Sequence, residues 1–204
     1  MPHSWELINF VKKNHRMHTA IKVPLRSINP ALIQDWQEKY PDAEVSLVVH
    51  DDPDKAPLSE KRFWDIIALL DWSKEGDDDA VVEPAITSLA AGPIRHILEF
   101  QDILSEKLYQ LDTRDHARHI GEDAWSPDRY FSVDNFLYAR CCTVANGKSF
   151  FQKALNDPTF MPKDLVFEAL LYIASEAYRR KTGKRLQQLP AFSYETYSNE
   201  AGWQ

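Results

Sequence analysis

The chain has 204 residues, 44% of them hydrophobic and 27% charged, which suits one soluble domain or a domain with a small appendage. Its formal net charge of -7 argues against nonspecific binding to nucleic acid or anionic membrane, since both need a basic surface. The opening MPHSWELINFVKK has no long uncharged apolar run, and no later run reaches spanning length, so a cytoplasmic protein is expected.

Residues 1–58 read as a small α/β unit. Ser4 can cap a short helix, and residues 20–25 alternate as a strand in which Pro24 suits only an edge. Asn29 followed by Pro30 opens a helix carrying Leu32, Ile33, Trp36 and Tyr40. Residues 44–50 then alternate as a second strand, completing a β-α-β crossover. The run DDPDKAP reads as a linker.

From Ser59 to the end the pattern is that of a multi-helix, bundle-like core with an extended C-terminal tail, so the fold class is mainly α. Ser59 caps a helix with Phe63, Ile66, Ile67 and Leu70 in one stripe. Asp77, Asp78 and Asp79 resemble a metal cluster but fit an N-cap with dipole-favoured charges. Pro84 should kink that helix or confine its start to about Val82. Gly92-Pro93 opens the next helix, with Ile94, Ile97, Leu98, Leu104, Leu108 and Leu111 facing inward. Thr113 caps a short helix that Gly121 closes, and Ser132 caps another over 133–145. A further helix runs to about Asn156.

The segment 163–183, KDLVFEALLYIASEAYRRKTG, reads as one hub helix. Asp164 complements its N-terminal dipole, and Gly183 supplies the left-handed stop. Val166, Leu170, Ile173 and Ala177 line one face, while Glu176 and Arg180 stand in favourable i,i+4 order. Glu168 either reaches water at the edge of this helix or is a buried acid paired from another element.

Arg140 is the sharpest anomaly, because it falls near the middle of the apolar face set by Val133, Phe136, Leu137, Cys141 and Val144. A guanidinium there needs a partner. Glu168 or Glu176 of the hub helix is the expected one; the functional alternative is a carboxylate receptor facing a cleft, with Asp128 and Tyr138 nearby. Asp115, His116, His119 and Glu122 form a weaker constellation, the acid and imidazole set that a metal-assisted hydrolase or nuclease would use. It lacks the spacing of a zincin helix. Neighbouring Cys141 and Cys142 read as core thiols, since adjacent helical positions diverge too far for a disulfide. No GxSxG, GxxxxGK[ST] or GxGxxG occurs, and no cofactor is expected.

The stretches FWDIIALLDWSKEGDDDAVVEP, YFSVDNFLYARCCTVANGKSFF and ALLYIASEAY resemble the bacterial Domain of Unknown Function family four-two-four-zero, over roughly residues 59–182. Shorter members read Gly-Gly-Ser-Asp-Asp where this chain has EDAWSPD. The resemblance implies a helical fold and assigns no activity. Without a complete catalytic constellation, the expected role is a protein-binding or regulatory module of the immunity or antitoxin kind. Its protein partner would be covered by loop aromatics such as Trp125, Tyr130, Tyr194, Tyr197 and Trp203.

Overall fold

The computed structural model describes residues 28–42 and 56–204. The chain falls into two units, Met1–His50 and Asp51–Gln204. In the first, helix α1 (Pro30–Lys39) begins as its sequence dictates: Asn29 accepts the Leu32 N–H at 3.0 Å, and Pro30 takes the first helical position. The two strand candidates of the expected β-α-β crossover, at 20–25 and 44–50, lie outside the described residues.

The second unit is mainly helical, and no strand occurs among the described residues. Ser59, Asp77, Thr113 and Ser132 each accept the backbone N–H three residues on, opening α2 (Glu60–Ile67), α3 (Asp78–Ala91), α5 (Arg114–Ala117) and α6 (Val133–Ala145). The acidic run before α3 is therefore a cap and a charged first turn. Pro84 lies inside α3 and does not delimit it, because the helix starts at the Asp77 cap. Helix α4 (Ile94–Gln110) buries Ile97, Phe100, Leu104 and Leu108, whereas Ile94 stays exposed. Helix α7 (Lys148–Asn156) follows α6 across Gly147.

The hub segment departs from expectation. Residues 163–167 are not helical, Glu168–Tyr172 forms a 3-10 turn, and α8 covers only Ile173–Thr182. Tertiary hydrogen bonds take backbone groups that a helix would need. The Asp164 N–H donates to Ile120 O at 2.9 Å, and the Phe167 N–H to Tyr138 O at 3.0 Å. Asp164 consequently does not cap a helix, and Val166 points away from the core at 55% exposure.

The shortened α8 keeps its central place. Ile173, Ala174 and Ala177 are buried where it packs against α3 and α4, and Gly183 ends it at φ 71°. Arg180 crosses to Glu83 of α3, and Glu176 pairs with Arg179, so the anticipated Glu176–Arg180 pair does not form. Phe63, Phe100, Phe136, Ile97, Leu108 and Leu170 are wholly excluded from water. Each such side chain contributes roughly 1.5–3 kcal/mol of transfer free energy. After Gly183 the chain runs without a long helix and ends in α9 (Glu200–Trp203).

Candidate functional site

Arg140 is fully buried, and its partners are not those expected. One terminal nitrogen donates to Leu108 O at 2.9 Å; the other donates to Tyr194 O and Thr196 Oγ1, each at 3.0 Å. The guanidinium stands 4.7 Å from the Phe136 ring centroid. Its carboxylate counterpart is Asp112, at 4.0 Å and equally buried, in the connection between α4 and α5. Glu168 instead accepts from Tyr172 Oη, and Glu176 from Arg179 Nε at 3.0 Å. Neither hub acid pairs with Arg140, whose partners lie at the end of α4 and in the tail.

Asp112 organises that tail. Its oxygens accept the Asn199 N–H and the Trp203 Nε1–H at 3.0 Å each, and the Tyr197 N–H at 3.3 Å. Burial lowers the Arg140 pKa, and Asp112 opposes the shift. The Arg140–Asp112 pair is thus a clasp for residues 194–203, filled by the protein's own atoms. Nothing in the order Leu111-Asp112-Thr113 marks this aspartate, since it belongs to no periodic face.

The Asp115, His116, His119 and Glu122 group does not converge. Among the described residues, no set of three or more His, Cys, Asp or Glu side chains could hold a metal ion. His116 is buried, and both its ring nitrogens are engaged, by Thr113 Oγ1 at 2.7 Å and Ala154 O at 3.0 Å. Burial lowers its pKa. Asp115 faces Arg118 in an exposed i,i+3 pair. His116 therefore serves to dock α5 against the end of α7. Cys141 and Cys142 are free and buried; burial drives up both thiol pKa values, that of Cys142 to about 11.

The loop aromatics divide. Trp125, Tyr194 and Trp203 pack against the core, and Trp125 also lies beneath the guanidinia of Arg114 and Arg118. Tyr130 and Tyr197 remain exposed, as does Asp128. Tyr138 is half-buried, and burial, with the Glu168 carboxylate nearby, pushes its pKa up. Tyr172 lies against the same carboxylate, which pushes its hydroxyl pKa up to about 12.

What does stand open is a cleft of about 300 Å³ between the Ile120–Asp123 turn, α6 and residues 164–166. Ile120, Ala139, Leu165 and Val166 give it apolar walls, while Glu122, Asp123 and Asp164 give it an acidic rim. Asn135 of α6 holds Asp123 at 2.8 Å. Asp164 adopts φ 58°, unusual for a residue with a β-carbon. Three bonds hold that segment: Asp164 Oδ1 accepts the Glu122 N–H at 2.6 Å, the Asp164 N–H reaches Ile120 O, and Lys163 Nζ donates to His119 O at 3.0 Å. Leu165 and Val166, 59% and 55% exposed, are displayed from this pinned backbone. A hydrophobic pair thus faces water from a clamped turn whose first residue is left-handed. The helical periodicity of 163–183 concealed it, and Met161-Pro162 just upstream gave no warning, since a proline also suits the first turn of a helix.

The family described as protein of unknown function (DUF4240) matches residues 58–180. The chain belongs to the DUF4240 family. No curated protein and no solved structure matches it. The DUF4240 span holds the cleft, the clamped segment, Arg140 and Asp112, while Tyr194, Thr196, Asn199 and Trp203 lie beyond it. Among the described residues, no helix is long and apolar enough to cross a membrane.

Proposed function

We propose that this DUF4240 chain is a non-enzymatic recognition module of the bacterial cytoplasm. It acts by covering a protein partner in the manner of an immunity protein or antitoxin. The interface is the cleft with the clamped segment beside it. The observation carrying this reading is the adjacent exposure of Leu165 and Val166 on a backbone that hydrogen bonds already fix. A preorganised apolar pair loses little conformational entropy when covered. The carboxylates of Glu122, Asp123 and Asp164 would select a partner with basic residues around an apolar contact, and the net charge of -7 would steer the encounter.

The reactive groups are consistent with a binding role. The buried arginine is occupied by the tail, both nitrogens of His116 are engaged, and both cysteines are buried. The decisive test compares wild type with the Leu165→Asp/Val166→Asp double variant in capture from host extract, with urea denaturation run in parallel. The reading requires the specifically captured protein to be lost at unchanged stability. Equal capture by both proteins refutes it.

A further inference from the structure

A second surface, on the far side of α8 in sequence from the clamped segment, has the opposite electrostatic character. A groove of about 530 Å³ runs between the start of α4, the end of α8 and residues 184–188. Its apolar lining is Ile94 and Leu98, one turn apart on α4, with Tyr178 of α8 and Leu186. Lys184, Arg185, Gln187 and Gln188 complete the lining.

The cations nearby differ in how they are employed. Arg179 pairs with Glu176, Arg180 with Glu83, and Lys181 donates to Ala90 O at 3.1 Å. Lys184 and Arg185 are exposed, and neither side chain has a hydrogen-bond or ion-pair partner among the described residues. Two adjacent exposed cations thus border an apolar groove in a chain with 24 basic and 31 acidic residues. The backbone beneath them is held: Gln101 Nε2 donates to Gln188 O at 3.2 Å, and the Lys184 N–H to Thr182 Oγ1 at 3.1 Å.

We infer that this groove binds an acidic peptide segment that places aliphatic side chains on Ile94, Leu98, Tyr178 and Leu186 and carboxylates on Lys184 and Arg185. The apolar lining supplies burial, the two cations supply charge complementarity, and the two glutamine amides can both donate to and accept from a peptide backbone. A partly open groove fits a peptide segment better than a small molecule, whose site encloses most of its surface. The inference does not depend on the reading of the clamped segment, because the two sites share no residue.

The test is a methyl NMR titration of the full-length protein with acetyl-Glu-Leu-Leu-Glu-amide. Acetyl-Lys-Leu-Leu-Lys-amide and sodium octanoate serve as separate arms. The acidic peptide should move the Ile94, Leu98 and Leu186 methyls in a saturable way, and the basic peptide should not. The Lys184→Glu/Arg185→Glu variant should weaken the acidic peptide by about tenfold or more with an otherwise unchanged spectrum. Three results overturn the proposal: no saturable shift, equal response to both peptides, or octanoate binding without peptide binding. Retained affinity in the double variant overturns it as well.

Discussion

Gly121 and Asp164 are fitted to one another so closely that a β-carbon built on the glycine would overlap the aspartate's carboxylate. Gly121 sits at φ 100°, and the Asp164 carboxylate lies over it to reach the Glu122 N–H. Gly121→Ala should therefore destabilise by about 1–3 kcal/mol, through backbone strain and displacement of the carboxylate. Asp164→Ala should lose the bond while keeping the left-handed strain. Asp164→Gly should lose the bond but relieve that strain, and so should be the milder of the two Asp164 changes. Urea denaturation of the three variants checks the order, and an alanine at 164 as stable as glycine would contradict it.

The Arg140–Asp112 clasp predicts strong coupling between two residues 28 positions apart in the chain. Either Arg140→Ala or Asp112→Ala should cost about 3–5 kcal/mol, since each strands a buried charge. Arg140→Met combined with Asp112→Asn should cost clearly less than the sum of its single changes. Limited proteolysis should open the 194–203 segment first in either single variant. Additive costs with a protected tail would show that the pair does not act as a unit.

Much of this architecture was legible from caps alone. Ser59, Asp77, Thr113 and Ser132 open helices where their side chains can accept a backbone N–H, and the limits of α6 follow from Ser132 and Asn146-Gly147. Arg140 was visible as a buried cation because its neighbours on the helix are apolar. Its counterpart was not visible, since Asp112 lies in an aperiodic connection and meets Arg140 only through tertiary packing. The clamped segment was hidden for the opposite reason. Val166, Leu170, Ile173 and Ala177 obey helical spacing, yet the carbonyls of Ile120 and Tyr138 take the Asp164 and Phe167 N–H groups, and the Glu122 N–H engages the Asp164 side chain. Local periodicity is a weak prior where distant groups compete for the same N–H and C=O.

His116 sets a pH dependence. Burial holds its folded-state pKa below the ordinary histidine value of 6.5, so the unfolded chain binds the proton first as pH falls. Stability should decline from pH 6.5 downward and level off once the folded-state pKa is passed. In a series of urea midpoints, His116→Gln should flatten this part of the curve. An unchanged slope would remove His116 as its cause.

At lower pH, Glu83 takes over. Its carboxyl pKa is lowered to about 2 by hydrogen bonds from Arg180 and Thr87. The stability it adds is present above the unfolded carboxylate range and disappears as pH falls toward 2. Because the pair is exposed, its contribution should stay under about 1 kcal/mol. Glu83→Gln should narrow the acid-induced loss by that small amount, and raised salt should mimic part of the effect.

The thiols give a direct check on packing. Burial raises the pKa of Cys141 and Cys142, with Cys141 wholly enclosed and Cys142 only 7% exposed. The folded protein should react negligibly with a thiol reagent at pH 8, and the unfolded protein should release two equivalents. Rapid labelling of the native state would contradict the packing of α6.

The most direct measurement of the recognition role is photo-crosslinking from inside the host. A benzophenone amino acid would replace Val166 in one protein and Leu69, also exposed but remote in sequence, in a control. Position 166 should give one discrete adduct of a second protein, suppressed by Leu165→Asp, and position 69 none. Equal labelling from both positions, or no discrete adduct from 166, would contradict that role.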